Sequence, residues 1–349
     1  MENKVRVAVI GIGNMGSFHV RTYSRIPEAE LKAVSDLIEP LGKEISSRYK
    51  VDYYPDYHEM LEREDIDLVS VVVPNNLHAQ IGLDVIKAGK NVAIEKPLCL
   101  SLKEADGLID AARKEGVLGM YCENLVFAPS YDLAKQIVDS GAIGKVHMVR
   151  GREASYWEDS LGHWSSDVKQ SGGGVIIEVG IHMAGYFRYL LNRVKAIRVY
   201  AEANKHVLEP YSEGDYEDIA LITIRFDGGQ LAWIDTSTHS RGGFNDMVEI
   251  YGDGVIFTEY YGAMRVFSQK NYPYHRLWGD WPTQGWTYPV VEQERVHGYW
   301  YELSHMVECV KADQKPKVTL EDGRAALEMV LAAYRSAAKG TAVNLPLSE

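Results

Sequence analysis

Cysteine is scarce in this sequence. Only Cys99, Cys122 and Cys309 occur among 349 residues, far apart and without a CxxC pair. An odd, scattered set builds neither a disulfide framework nor a structural zinc site, and it suits a reducing cytoplasm. Positive charge is also short, with 37 Lys and Arg against 49 Asp and Glu, a formal net charge of −12. That balance repels phosphate backbones and excludes general nucleic-acid binding. No run approaches the roughly 18 apolar residues of a membrane span. The opening MENKVRVAVIGIG has no basic region followed by a long apolar one. It enters a strand pattern at once and is expected to be a mature N-terminus, not a signal peptide. Internal repeats and low-complexity tracts are missing as well.

What is present is ordinary for a globular chain: 46% hydrophobic and 25% charged residues. At roughly 100–200 residues per domain, the length implies two domains. The first third alternates two periodicities. Short apolar runs at Val5–Ile10, Leu31–Asp36, Leu68–Val73, Asn91–Ile94 and Val117–Cys122 read as buried strands. Helical stretches separate them at Ser17–Arg25, Leu41–Tyr49, Leu83–Ala88 and Leu102–Lys114, with Ser101 as an N-cap and Gly89 as a C-terminal stop. This β-α-β-α order predicts a parallel, doubly wound sheet.

Near residue 123 the pattern changes. Tyr131–Asp139 reads as a helix. Strands follow at Val146–Gly151, Ile197–Ala203, Ile219–Phe226, Gln230–Thr236, Met247–Tyr251, Val255–Glu259 and Met264–Phe267. Asp227-Gly228-Gly229 and Gly252-Asp253-Gly254 have hairpin-turn chemistry. The second part is therefore expected to be a largely antiparallel sheet. One helix from Gly172 to Leu191 interrupts it, and helices at Tyr299–Val310 and Glu321–Ala338 close the chain. The Trp-, Pro- and Tyr-rich stretch Tyr272–Tyr288 reads as a loop.

Three constellations can carry chemistry. The first is GIGNMG, where Gly11, Gly13 and Gly16 follow a strand and open a helix. The glycines permit a tight turn, close approach of a pyrophosphate, and helix packing on the strand. The helix N-terminus then offers free N–H groups to phosphate. Asp36 ends the second strand 20 residues after Gly16. Its carboxylate suits ribose hydroxyls and repels a 2′-phosphate, which favours NAD over NADP. Pro74-Asn75-Asn76-Leu77-His78 ends another strand, on the side where ligands of such sheets sit.

The second constellation is Glu95-Lys96-Pro97, also at a strand's carboxyl end. A lysine there can donate to a substrate hydroxyl, and desolvation would lower its pKa toward proton chemistry. The third is SGGGVIIEVGIH, which ends in Glu178 and His182 on an otherwise apolar segment. Four residues apart on a helix, they share a face, so the carboxylate can orient the imidazole as a general base. The three glycines would let this segment approach a ligand. The same pair suits a metal, but a third ligand such as His163 or Glu153 would have to come from elsewhere in the chain. No metal is expected.

Together the GxGxxG loop, the EKP tripeptide, the glycine-rich segment with Glu178 and His182, and the closing AAYRSAAKG resemble the Gfo/Idh/MocA family along essentially the whole chain. The family is named for glucose–fructose oxidoreductase, inositol dehydrogenase and a rhizopine-catabolism protein. The resemblance implies an N-terminal Rossmann domain over 1–122. An α+β domain over 123–349 would follow, with a large, mostly antiparallel sheet and closing helices free to pack back on the first domain. It implies a homodimer or homotetramer formed through that sheet. It also implies NAD(P)-dependent oxidation or reduction of a sugar, glycoside or cyclitol hydroxyl, with Lys96 and His182 at the family's catalytic positions and Glu178 beside them.

Residues expected along NAD are Gly11, Ile12, Gly13, Asn14, Met15, Gly16, Asp36, Val73, Pro74, Asn75, His78, Glu95, Lys96 and Asn124. Those expected along the substrate are Lys96, Asn124, Tyr156, His163, Trp164, Glu178 and His182. This chain departs from the family pattern in carrying Glu178 where Asp is usual, Gly185 where many members have Asp, and Tyr121-Cys122-Glu123-Asn124 in place of an arginine-bearing segment. Two rival readings use the same framework. One is an NAD-retaining glycosidase working by transient oxidation and elimination. The other is a non-catalytic, cofactor-binding regulator.

Overall fold

Val5–Ile10 forms strand β1, buried along its length except at Arg6. The computed structural model of the protein describes residues 4–156, 163–205, 217–238, 245–274 and 282–348. After β1 come α1 (Asn14–Tyr23), β2 (Ala29–Ser35), α2 (Glu39–Tyr49), β3 (Asp52–Tyr54), α3 (Tyr57–Leu61), β4 (Leu68–Val71), α4 (His78–Lys87), β5 (Asn91–Ile94), α5 (Leu102–Glu115) and β6 (Gly119–Tyr121). The six strands form one sheet in the order β3-β2-β1-β4-β5-β6, every pair parallel. This is the Rossmann order, which reverses direction of winding beside β1.

Local chemistry sets the helix ends. Ser101 caps α5 by accepting the Glu104 N–H, and Glu104 reaches back to the Leu100 N–H, both at 3.2 Å. Gly116, at φ +69°, stops the same helix in the left-handed region. The sequence reading left out β3 and α3. Three and five residues are too short for either period to register.

The chain divides into two compact units. One holds residues up to Glu123 together with Tyr299–Leu327, and the other holds Asn124–Gly298 and the remainder. Helix α9 (Tyr299–Ala312) thus belongs with the Rossmann sheet. Its Leu303, Met306 and Val307 join the core formed by Val7, Val9 and Val20. Phe18 of α1 meets Tyr299 with ring centroids 5.0 Å apart.

The second unit contains α6 (Pro129–Asp139), β7 (Met148–Ala154), α7 (Val168–Ser171), α8 (Ile181–Leu190), β8 (Ala196–Asn204), β9 (Ile219–Phe226), β10 (Leu231–Ser237), β11 (Met247–Tyr251), β12 (Val255–Glu259), β13 (Met264–Ser268) and β14 (Gly285–Thr287). Helix α10 (Leu320–Lys339) ends in this unit, and β15 (Val343–Asn344) follows it. The nine strands run β14-β13-β12-β11-β7-β10-β9-β8-β15. All pairs are antiparallel except β7 with β10. The expected hairpins join β9 to β10 and β11 to β12.

One face of this sheet is buried through Val149, Ile222, Ile224, Ile234, Val248 and Ile250. Helix α8 lies on it so closely that a Cβ at Gly151 would come within 2.6 Å of Met183 Sδ. The opposite face leaves Tyr200, Leu221, Leu231 and Trp233 exposed.

The single helix expected from Gly172 to Leu191 is not what forms. Ser171 ends α7, a glycine turn follows, and Ile176–Gly180 winds as a π-helical turn before α8. An unbroken apolar run does not distinguish a π turn from an α turn. Only the packing does.

Candidate active site

In the first unit the glycine loop fits a dinucleotide. Gly11 has φ +80°, and a Cβ there would lie 2.1 Å from Val72 O. A Cβ at Gly16 would stand 1.9 Å from Gly11 O. Above Gly13 nothing lies within 4 Å, so a ligand can approach the backbone there. Helix α1 starts at this point with no side-chain cap on its first turn. Uncapped N–H groups and a positive dipole end are what a pyrophosphate needs. Asn14 and Met15 are exposed beside it, and Ile12 is buried beneath.

Asp36, half-buried at the end of β2, accepts the Ile12 N–H through Oδ2 and the Ile38 N–H through Oδ1, both at 2.8 Å. It ties the glycine loop to the second strand and keeps lone pairs for further donors. Val73 and Pro74 are half-buried beyond β4, while Asn75 is buried. His78, expected along the cofactor, is held by backbone oxygens on both ring nitrogens. Its Nδ1 reaches Pro97 O at 2.6 Å and its Nε2 reaches Val73 O at 2.8 Å. The ring is buried. It fastens the EKP loop to the β4 loop and presents neither nitrogen outward.

Glu95 and Lys96 follow β5. Glu95 Oε1 meets His19 Nε2 at 3.0 Å, Glu95 Oε2 accepts the Lys96 N–H at 3.0 Å, and His19 Nδ1 meets Ser70 Oγ at 2.8 Å. Burial alone would push the Glu95 carboxyl up. The His19 hydrogen bond and the charges of His19 and Lys96 outweigh it and hold the carboxyl below its ordinary value. Lys96 itself is half-buried. The sequence reading missed His19. The only sign of it was a histidine on the inner side of the first helix, three residues past Gly16.

Beneath Glu95 lie Cys122 and Glu302, with one donor atom of each within 4.8 Å of the others. Among the described residues this is the one cluster of three such donors, and it includes neither Glu178 nor His182. Burial, reinforced by the acids around them, pushes the Cys122 thiol and the Glu302 carboxyl well up.

The second unit carries the remaining candidates. Asn124 is buried and spends its amide N–H₂ on Tyr260 Oη at 2.7 Å and on His297 O at 2.8 Å. Through these donors it braces the chain around Tyr260. Tyr156 is half-buried after β7. His163 is exposed and caps the short turn Trp164–Ser166 through its side chain, with Trp164 half-buried alongside. The residues between Tyr156 and His163 lie outside the described ones.

The glycines before Glu178 have a different purpose from the one expected. A Cβ at Gly173 would come within 2.0 Å of Tyr334 Oη, and one at Gly174 within 2.0 Å of Glu217 O. Glu217 accepts the Gly174 N–H at 3.0 Å, the Ile176 N–H at 2.9 Å and the Tyr334 hydroxyl at 2.7 Å. The glycine turn is clamped by protein, not opened to a ligand. Burial pushes the Glu217 carboxyl up despite those donors.

Glu178 lies in the π turn and His182 at the head of α8, so no regular α-helical turn connects them. Both are buried. Chemically, the first unit offers an anion cradle, a half-buried carboxylate beside it and an ammonium group. The second offers a buried imidazole that acts electrostatically on the Asp246 carboxyl.

Comparison with known proteins bears on this arrangement. Residues 5–122 match the family described as "Oxidoreductase family, NAD-binding Rossmann fold", and residues 131–257 match the "GFO/IDH/MocA C-terminal domain". Myo-inositol 2-dehydrogenase of Thermotoga maritima is 29% identical over 343 residues, covering 98% of each chain. The NAD(+)-dependent scyllo-inositol 2-dehydrogenase of Bacillus subtilis is 30% identical over 353 residues, covering 99% of this chain and 97% of that one. Among solved structures, GenD2 from gentamicin A biosynthesis, in complex with NAD, is 30% identical and superposes with a TM-score of 0.86 over 99% of this chain and 98% of its own. With its Rossmann strand order, its glycine cradle and these full-length relatives, the chain belongs to the Gfo/Idh/MocA family of NAD-dependent oxidoreductases.

Proposed function

We propose that the protein oxidises a ring hydroxyl of a cyclitol, sugar or glycoside. The reading is supported above all by full-length likeness to two inositol 2-dehydrogenases, joined to a lysine at the carboxyl end of β5 and a histidine at the head of α8. Bound NAD supplies the hydride acceptor. The backbone of Gly11–Gly16 and the first turn of α1 hold the pyrophosphate, and Asp36 takes the ribose hydroxyls. Val73, Pro74 and Asn75 line the nicotinamide side. His182 accepts the hydroxyl proton, and Lys96 donates a hydrogen bond to the oxygen as charge develops there. Glu178 adds a carboxylate on the His182 side, and Tyr156, His163 and Trp164 hold the ring. Two copies or more associate through the exposed sheet face that carries Tyr200, Leu221, Leu231 and Trp233. No helix among the described residues is long and apolar enough to cross a membrane.

The test is a panel of inositols, sugars and glycosides with NAD and with NADP, followed by absorbance of the reduced cofactor. Net NADH is expected, and Lys96→Ala and His182→Ala should each lose about 100-fold or more in turnover while still binding NAD. Near-normal turnover in both variants overturns the residue roles. Aglycone release without net NADH would point to the glycosidase cycle. A tenfold preference for NADP would overturn the role given to Asp36.

A further inference from the structure

Strand β11 is preceded by an acid that the catalytic reading has not used. Burial along β11 alternates, with Val248 and Ile250 facing the core. Asp246 continues that alternation and is buried on the same face. Its Oδ1 accepts the N–H of Ala154, the last residue of β7, at 3.1 Å, and its own carbonyl accepts the Tyr260 N–H at 3.0 Å. Helix α8 packs on this same face over β7, with Met183 and Phe187 against Gly151. The residue before Met183 is His182. A carboxyl fixed at the end of β7 and an imidazole at the head of α8 thus belong to elements packed on one face of the sheet, within electrostatic reach of each other.

We propose that Asp246 is a positioning residue for the reaction: from the sheet, it sets the protonation and orientation of His182. The proposal rests on the role given to His182 above.

The electrostatics agree with this placement. Burial, offset in part by the Ala154 N–H and the charge of His182, leaves the Asp246 carboxyl raised to about 6. Influence of that kind is mutual, so ionised Asp246 favours the imidazolium. Other described titratable groups face the pair. Tyr131 of α6 and Tyr261 after β12 both feel the Asp246 charge, and Glu153 of β7 and Glu259 of β12 act on Tyr131. The tyrosines are pushed up and stay neutral. Glu178 sits on a different element, the π turn, and its charge reaches Tyr334. This π turn separates the histidine from the α-helical position that an acid four residues earlier would occupy. A carboxyl supplied by the sheet does not depend on that turn.

Nuclear magnetic resonance of the imidazole and carboxyl carbons, with His182→Gln used for assignment, tests this without substrate. In the wild type, the His182 and Asp246 signals should titrate as a coupled pair, each showing a second inflection. In Asp246→Asn, which retains an acceptor for the Ala154 N–H, the His182 midpoint should fall by about one pH unit. Its kcat should drop about tenfold or more, with KM little changed and the acid limb of the pH profile moved. Asp246→Glu should restore part of the midpoint. A His182 curve with one inflection in the wild type overturns the proposal whether or not the variants fold. So does an unmoved midpoint in a well-folded Asp246→Asn. A wild type that reduces NAD with no member of the panel would instead refute the proposed function, and the titration would still report on the pair.

Discussion

His19 Nε2 and Glu95 Oε1 stand 3.0 Å apart, both buried, although the two residues are separated by 76 positions. The other Glu95 oxygen holds the backbone N–H of Lys96. One buried hydrogen-bonded pair thus joins the first helix after the glycine loop to the backbone of Lys96.

Removing His19 would take away one hydrogen-bond partner of the buried Glu95 carboxylate and leave only the Lys96 N–H and charge beside it. A hydrogen bond lost from a buried charged group costs about 1–3 kcal/mol. His19→Ala should lower the urea midpoint accordingly, and adding Glu95→Gln should recover part of the loss by removing the charge. The sign with pH is fixed by the lowered Glu95 carboxyl. Its contribution is present above the ordinary value of about 4.3 and is lost as pH falls through the lowered one. The acid limb of the stability curve should therefore be shallower in His19→Ala than in the wild type. A variant with the wild-type midpoint would show that the pair carries no structural weight.

Glu302 gives the opposite sign. It is fully buried, and neither carboxyl oxygen has a well-formed hydrogen bond. Burial, then the charges of Glu95 and Glu123, raise it well above the usual carboxyl range, and the Glu123 N–H relieves this only in part. A raised acid stabilises the fold fully below its ordinary pKa and progressively less as pH rises through the raised value. Glu302→Gln keeps the shape and cannot ionise. The two proteins should match near pH 4. Above that the variant should gain on the wild type by at most about 1.4 kcal/mol per pH unit. Denaturant melts across pH 4–8 would read this, and a difference independent of pH would contradict it.

The sequence made the Rossmann half legible because its signals are local. GIGNMG, the Ser101 cap and the acid ending β2 each sit within a few residues of the backbone they govern. The same holds for the hairpin glycines between β9 and β10 and between β11 and β12. What escaped depends on partners distant in the chain. His19 needs Glu95, and Gly174 needs Glu217, 43 residues later. Read alone, the glycines before Glu178 suggest a ligand approach. Their neighbours turn out to be Tyr334 and Glu217. The return of α9 to the first unit was allowed by the family resemblance alone, since the helix's own apolar stripe is complementary to any core.

The glycine loop allows binding and folding to be separated by two changes of one methyl group. At Gly16 an added Cβ would stand 1.9 Å from the backbone oxygen of Gly11, which cannot yield without moving the loop. Gly16→Ala should therefore damage the first unit itself, lowering its melting temperature whether or not NAD is present. At Gly13 an added Cβ meets nothing within 4 Å. Gly13→Ala should fold with the wild-type melt, yet place its methyl where the pyrophosphate approaches the backbone. Its Kd for NAD, measured by calorimetry, should rise about tenfold or more, as the loss of about 1.4 kcal/mol of close contact requires. If Gly13→Ala bound NAD as the wild type does, the open space above that residue would not be where the phosphates lie.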